Sequence, residues 1–368
     1  MRLREFFIED RLEKYRLNSF CNLGESGIKN KNLDSLLQEI DFNFQEFKNI
    51  TLDDSPNTGR KDLRETIASL YPNVHPDEVL ITTGTGEALF ILFQLICKPN
   101  SRVSLFSPAF QALYEIPSML GCKIENIEVK DSLEIASLFN SKSDILVINH
   151  PHNPTGKILS DKELSFLKTE APKFQGYIVF DEHYRFLHPT EDMFFSGAKL
   201  SEKTFTTGSI TKCFGVMGLK IGWLIGDRNF LKKARSFKDY LTHTVSPITE
   251  LLTLKILQKR KKLIEPIKKN LQKNIQYMKE NFSKIYSIRS FHPPEGGVVS
   301  FPELRKGIQS EKYCDDLYEN TGVFILPGKN FEKEGFVRVG FGESPEIFQN
   351  GIDLWIEFEK SYNLKEKK

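Results

Sequence analysis

Short apolar runs recur along the chain from about residue 78 to residue 210, and mixed polar and apolar segments separate them. Each run has the length and composition of a buried strand, and the segments between several of them have helical periodicity. The predicted strands lie within 78–97, 102–107, 122–129, 144–150, 177–184 and 203–210. Strands that alternate with helices at this spacing predict an α/β fold with a mostly parallel central sheet.

The ends of the predicted strands carry polar and glycine-rich motifs. These motifs are GTGE (84–87), PHNPTG (151–156), DEHY (181–184) and GSITK (208–212). Ligands of open parallel sheets gather at the carboxyl ends of the strands. We therefore expect the four motifs to form one ligand site.

The rest of the chain has a different pattern. We expect an amphipathic helix over residues 1–20 and short helices over 32–42 and 61–71. Residues 230–290 are lysine-rich and predict long solvated helices, interrupted at Pro266. Beyond them, strands within 296–304, 323–328 and 335–342 flank a helix near 312–320, which is typical of a smaller α+β domain.

Composition narrows the class of protein. The 368 residues carry 51 Lys and Arg against 49 Asp and Glu, a balance that predicts no nucleic-acid partner. The five cysteines lack paired spacing, which predicts neither disulfides nor a metal site and favours a reducing compartment. The charged N-terminus is unlike a signal peptide, and the longest apolar run is too short for a membrane span. We expect a cytoplasmic protein without a membrane partner.

Three strand-end features suggest a specific chemistry. Lys212 lies between a polar run and a glycine-spaced apolar run, where a sheltered amine can become a nucleophile. Asp181 closes the apolar run YIVF, so its carboxylate is predicted to be buried. Gly84, Thr85 and Gly86 can present backbone N–H groups to an anion. A Schiff-base lysine, an acid for a pyridine nitrogen and a phosphate cradle are the set that pyridoxal phosphate (PLP) requires.

These residues stand in motifs that resemble the fold-type I PLP-dependent enzymes of the class I/II aminotransferase family. The motifs occur in the family's order over nearly the whole chain: TGTGEAL, SPAFQALY, HNPTGK, VFDEHY, GSITKCFGVMGLKIGW, GGVVSF, LPGKNF and VRVGFG. The resemblance implies the three-layer PLP-dependent transferase fold, with a smaller α+β domain built from both chain ends. The implied domains are a large PLP-binding domain over 46–245, a small domain over 246–368, and an N-terminal segment over 1–45 that joins the small domain.

The resemblance also implies roles for individual residues. Lys212 would form the Schiff base and move the α-proton, with Asp181 and Tyr184 as its catalytic partners. The cofactor would be held by Thr85, Gly86, Phe110, Asn153, Asp181, Tyr184, Ser209, Lys212 and Lys220. Arg338 would bind the substrate α-carboxylate, with Asn153 and Gly24 as further substrate contacts. The expected reaction moves an amino group between an L-amino acid and a 2-oxo acid in a homodimer.

Two positions depart from the family pattern. Lys220 stands where relatives usually have an arginine on the phosphate, and a lysine binds it as a point charge. Asp54 stands where relatives typically have a tyrosine that reaches the partner subunit's phosphate. Together with the NLGESG opening, this is similar to a subgroup of short aminotransferase-like enzymes that includes capreomycidine synthase. Glu25, Asp54 and His183 are candidates for the pocket that selects the donor side chain.

Several alternatives stay open at this point. Another PLP reaction, by a lyase, decarboxylase or oxidase/cyclase, would use the same core residues. The GTGE turn could belong to a nucleotide-binding module or dehydrogenase, although the full three-glycine fingerprint is absent. For single residues, Arg338 could form a buried ion pair, Tyr184 and Phe110 could be packing aromatics, and His152 and His183 could make local hydrogen bonds.

Overall fold

The structure is a computed structural model and describes residues 3–366. Its helices are α1 (Phe7–Tyr15), α2 (Leu33–Glu39), α3 (Phe44–Lys48), α4 (Lys61–Ala68), α5 (Gly84–Ile96), α6 (Ala112–Met119), α7 (Ile135–Phe139), α8 (Asp161–Glu170), α9 (Thr211–Phe214), α10 (Arg228–Lys238), α11 (Pro247–Gln258), α12 (Arg260–Asn281), α13 (Ser310–Thr321) and α14 (Pro345–Glu366). Its strands are β1 (Cys21–Asn22), β2 (Val79–Thr82), β3 (Arg102–Ser107), β4 (Lys123–Glu128), β5 (Ile145–Asn149), β6 (Tyr177–Asp181), β7 (Thr204–Gly208), β8 (Gly222–Ile225), β9 (Ile288–Ser290), β10 (Val299–Ser300), β11 (Glu303–Leu304), β12 (Val323–Phe324), β13 (Leu326–Pro327) and β14 (Val337–Gly340).

The central sheet has seven strands in the order β2-β8-β7-β6-β5-β3-β4. β8 runs antiparallel to both of its neighbours, and the remaining pairs of adjacent strands are parallel. The prediction of an α/β fold with a mostly parallel central sheet is therefore confirmed. The carboxyl ends of β5, β6 and β7 lie side by side at one edge of this sheet.

Apolar side chains cover the sheet on both faces. Val147 of β5 and Val179 of β6 pack into one core with α5. Ile148 and Phe180, the next residues along the same strands, pack into a second core on the opposite face with α8. Because both faces are buried, these strands show continuous apolar runs instead of alternation.

The remaining strands form small sheets that join the two chain ends. β14 lies between β10 and β13, and β9 pairs with β11. β1, close to the N-terminus, pairs in parallel with β12, so that Cys21 lies opposite Val323. The N-terminal segment is thereby tied to the C-terminal part of the chain.

Two expectations about helices are wrong, and one helix was missed. The first helix spans Phe7–Tyr15 instead of 1–20, and residues 1–2 lie outside the described residues. Pro266 does not interrupt α12, which runs without a break and buries Leu263 and Leu271 against the core. This buried stripe keeps the helix together at the proline, although proline lacks one backbone donor. The long helix α14 was not predicted at all.

No helix among residues 3–366 has the length and apolar character needed to cross a membrane.

Candidate active site

Three polar side chains lie in register at the ends of the central strands. Asn149 of β5 pairs with Asp181 of β6, and Asp181 pairs with Thr207 of β7. The Thr207 hydroxyl donates to Asp181 Oδ1 at 2.9 Å, and the Asn149 amide donates to Asp181 Oδ2 at 3.2 Å. The Asp181 carboxylate is fully buried, and these neighbours supply the hydrogen bonds that burial makes necessary.

His183 is a third neighbour of this carboxylate. Its Nε2 lies 3.0 Å from Asp181 Oδ1 and 3.2 Å from the Thr85 hydroxyl. No Lys or Arg of the described residues lies within ion-pair distance of Asp181. The expectation of local hydrogen bonding by His183 is therefore confirmed, and these bonds reach two predicted cofactor residues. His152 likewise bonds locally, through Nδ1 to the Thr155 hydroxyl at 2.8 Å.

The first turn of α5 borders open space. Gly84 has a φ of +78°, and a Cβ added at Gly84 or Gly86 would meet no heavy atom within 4 Å. The N–H groups at the start of this 13-residue helix have no partners within the helix, so the space suits an anion. Ser209, a further predicted anion contact, is buried, and its hydroxyl lies 2.9 Å from that of Thr211.

Gly222 supports this turn from behind. A Cβ at Gly222 would lie 2.7 Å from the carbonyl carbon of Gly84 and from the nitrogen of Thr85. Because Gly222 has no side chain, β8 can lie directly against the backbone of α5 at this point.

Lys212 lies in the short helix α9, which ends at Gly215 with a left-handed φ of +66°. Its amine lies 3.4 Å from the sulfur of Met217. Among the described residues, no carboxylate lies within ion-pair distance of this amine. Burial lowers the pKa of Lys212, and Arg338 and Lys220 lower it further, against the opposing effect of Glu25 and Glu9.

Arg338 is buried and meets two other predicted substrate contacts. Its Nη1 donates to Asn153 Oδ1 at 3.1 Å, and its Nη2 donates to the Gly24 carbonyl at 2.6 Å. Among the side chains that the structure describes, no carboxylate lies within ion-pair distance of the guanidinium, so the alternative of a buried ion pair is wrong. Burial also lowers the pKa of Arg338.

Tyr184 is also buried, and its hydroxyl donates to the carbonyl of Ser26 at 2.8 Å. This bond ties the DEHY turn to the N-terminal segment. Burial raises the pKa of Tyr184, so its hydroxyl stays protonated at neutral pH.

Three predicted residues lie at the margin of this group. The Phe110 ring packs against Phe6, with ring centroids 5.4 Å apart. Lys220 is exposed, has a left-handed φ of +47°, and faces a cavity of about 550 Å³ that Lys212 also lines. Asp54 accepts a hydrogen bond from the Thr244 hydroxyl at 2.9 Å.

The sequence reasoning missed two parts of this site. Asn149 closes an apolar run in the same way as Asp181 does, and that pattern could have identified it. The carbonyl of Ser26 carries no recognisable pattern, because its role depends on backbone position alone. Gly24 was predicted as a substrate contact, but its bond to Arg338 was not.

Comparison with known proteins decides the family. The sequence profile of the family described as aminotransferase class I and II matches residues 26–353. The chain belongs to the class I and II aminotransferases. It is a PLP-dependent aminotransferase, and its cofactor is pyridoxal phosphate, as the motifs predicted.

Individual relatives of this aminotransferase match more than nine tenths of its length. An aspartate aminotransferase of Pyrococcus horikoshii is 26% identical over 97% of this chain and 99% of its own. The capreomycidine synthase of Streptomyces vinaceus is 23% identical over 92% of this chain and 90% of its own. A solved PLP-dependent aminotransferase from Streptococcus suis shares the fold, with a TM-score of 0.89, 22% identity, and coverage of 98% and 99% of the two chains.

The geometry of the aminotransferase fits its cofactor. The open space before Gly84 and Gly86 suits a phosphate, and the Lys212 amine lacks a carboxylate partner in the part of the chain that the structure describes. Asp181 Oδ1 accepts from Thr207 and His183, whereas Oδ2 accepts, among the described residues, from Asn149 alone. Oδ2 therefore keeps one acceptor position for a protonated ring nitrogen.

The packing of Gly222 gives a first prediction. Gly222→Ala should force α5 away from β8, lower the free energy of unfolding by about 1–3 kcal/mol, and weaken PLP binding. The thermal midpoint of the apoprotein and a PLP titration measure these effects. Gly218→Ala is the matched control, because a Cβ at Gly218 meets nothing within 4 Å. Equal midpoints for the two variants would contradict the prediction.

Proposed function

We propose that this aminotransferase moves the amino group of an L-amino acid to a 2-oxo acid, with Lys212 and Arg338 as its central residues. The observation that carries the proposal is a pair of shielded basic side chains without counter-ions. Neither side chain has a carboxylate within ion-pair distance among the described residues, and a buried charge without a partner is costly. The charged Arg338 therefore calls for an anionic ligand, which a substrate carboxylate supplies, whereas burial favours the neutral, nucleophilic form of Lys212.

We assign the cofactor contacts as follows. Pyridoxal phosphate supplies an aldehyde that takes up amino groups and a ring that withdraws electrons from the α-carbon. Asp181 faces the ring nitrogen, because its Oδ2 is the free acceptor. The other proposed cofactor contacts are Thr85, Gly86, Ser209 and Lys220 for the phosphate, Asn153 and Tyr184 for the ring oxygen, and Phe110 for the ring itself.

Lys212 is the proposed amine that holds the cofactor and moves the proton. A lysine is a nucleophile and a base only in its neutral form. Burial lowers the pKa of Lys212 and so raises the neutral fraction near neutral pH. The same amine can remove the proton from the substrate α-carbon and deliver it to the carbon that carried the cofactor's aldehyde.

Arg338 is the proposed site of the substrate carboxylate. A guanidinium has five N–H donors, and Arg338 uses two of them on Asn153 and Gly24. These two bonds hold its plane, and Nε is buried without a partner among the described residues. The remaining donors match the two oxygens of a carboxylate.

The deciding experiment follows the cofactor through half of the reaction. Purified protein mixed with one amino acid and no oxo acid should lose its yellow colour as the cofactor becomes pyridoxamine phosphate. Lys212→Ala should bind PLP but fail to convert it. The donor panel includes aspartate, aromatic and cationic amino acids. The cationic ones are included because Glu9 and Glu25 line the cavity beside Lys212.

The same experiment distinguishes transamination from other PLP-dependent reactions. Because the chain is also similar to a capreomycidine synthase, a lyase, decarboxylase or oxidase/cyclase reaction is the second candidate. Loss of the donor without formation of pyridoxamine phosphate would indicate one of these reactions. Absence of conversion across the whole panel would contradict the proposed transamination.

Arg338→Lys should separate substrate binding from cofactor binding. A lysine cannot hold Asn153, Gly24 and a carboxylate together, so KM for both substrates should rise about 10- to 100-fold. PLP affinity should stay unchanged. Arg289→Lys is the control, since Arg289 is exposed and pairs with Glu303 at 2.9 Å. An unchanged KM in Arg338→Lys would contradict the assignment.

We further propose that the enzyme is a cytoplasmic homodimer, with residues 46–245 as the cofactor domain, 246–368 as the small domain, and 1–45 joined to the latter. The pairing of β1 with β12 supports the last assignment. Sedimentation velocity at micromolar concentration should give a mass near 85 kDa, twice the 42.5 kDa of the chain. A single species of 42.5 kDa would contradict the dimer.

A further inference from the structure

His183 occupies the turn between Asp181 and Tyr184, and its backbone is held in place. The Cys213 thiol donates to the His183 carbonyl at 3.1 Å, and Cys213 follows Lys212 directly. The imidazole is mostly buried, with 17% of the side chain exposed. Its position is therefore fixed by the same elements that present Asp181 and Lys212.

The contacts of the ring determine where its proton lies. An ionised carboxylate only accepts hydrogen bonds, so the 3.0 Å contact with Asp181 Oδ1 requires a hydrogen on Nε2. Nδ1 is buried and has no partner among the described residues. A hydrogen on Nε2 is thus bonded, whereas a hydrogen on Nδ1 would be a buried donor without a partner among the described residues.

The Nε2–H of His183 determines which oxygen of Asp181 stays free to accept a further hydrogen bond. Oδ1 already accepts from the Thr207 hydroxyl at 2.9 Å, and the bond from His183 fills its second acceptor position. Oδ2 has the Asn149 amide at 3.2 Å and one position left. His183 thereby leaves Oδ2 as the oxygen of Asp181 with a free acceptor position. The bonds to both oxygens also keep the carboxylate from rotating.

The same nitrogen reaches the N-terminus of α5. Nε2 lies 3.2 Å from the Thr85 hydroxyl, and with Nε2 as donor the hydroxyl accepts. The hydrogen of Thr85 is then free to be donated to an anion in the open space before Gly84 and Gly86. One imidazole therefore contacts both the residue proposed for the ring nitrogen and a residue proposed for the phosphate.

We propose that His183 is a positioning residue that fixes the free oxygen of Asp181 and the hydrogen of Thr85 toward the two ends of the cofactor. The proposal rests on the cofactor contacts assigned above, and not on which amino acid is the donor. His183 links the two ends through one shared N–H. Loss of this donor weakens cofactor binding and changes the electronic state of the bound ring.

Two substitutions at His183 separate the hydrogen bond from the shape of the side chain. His183→Phe keeps a ring but removes the donor, whereas the amide of His183→Gln can donate from the position of Nε2. His150→Phe is the matched control. His150 is buried near the same strand ends, neither of its ring nitrogens has a partner among the described residues, and it packs edge-on against Phe194.

PLP titration of the apoprotein, the absorption spectrum of the bound cofactor, and the thermal midpoint of the apoprotein are measured for each variant. His183→Phe should weaken PLP binding about tenfold and shift the absorption maximum, because a bond to a charged group is lost. With an active donor, kcat should fall while KM changes little. His183→Gln should restore affinity and spectrum, and His150→Phe should match the wild type in both.

Wild-type affinity and absorption in His183→Phe would overturn the proposal. A loss that follows the apoprotein midpoint and is not restored by His183→Gln would also overturn it, since it would show a purely structural role. These readouts do not depend on turnover. Failure of every donor to convert the wild-type cofactor would refute the proposed transamination and still leave the affinity series to decide the role of His183.

Discussion

The buried carboxylate of Asp181 is the constraint on which the site depends. It lies at the end of β6, between Asn149 and Thr207, because the three strands pair in register. A slip of one residue in either pair would turn one of these side chains to the other face of the sheet. The apolar cores on both faces oppose such a slip, so the packing of the sheet also determines the polar contacts at its edge.

Much of this arrangement could be predicted from the sequence. The alternation of apolar runs and helical segments predicted the parallel sheet, and Asp181 was recognised because it closes a run of buried residues. The motifs predicted the family and the cofactor, since their order is more specific than any one of them. These features are local in sequence, and local patterns suffice to detect them.

The parts that could not be predicted depend on contacts between distant segments. Nothing in NLGESG indicates that the carbonyls of Gly24 and Ser26 accept hydrogen bonds from Arg338 and Tyr184. The continuity of α12 through Pro266 depends on side chains buried against other elements. Such outcomes follow from tertiary packing, which overrides local propensity.

The bond between Gly24 and Arg338 also bears on the order of assembly. The two residues are separated by 314 positions, so the ribosome must have passed Arg338 before they can meet. The central sheet can pair earlier, because all of its strands precede residue 226. A nascent chain could thus present Lys212 and Asp181 while the N-terminal segment still awaits its partner strand. Completion of the site is thus coupled to the synthesis of Arg338, and nascent chains that stop before it lack the arginine that anchors the segment.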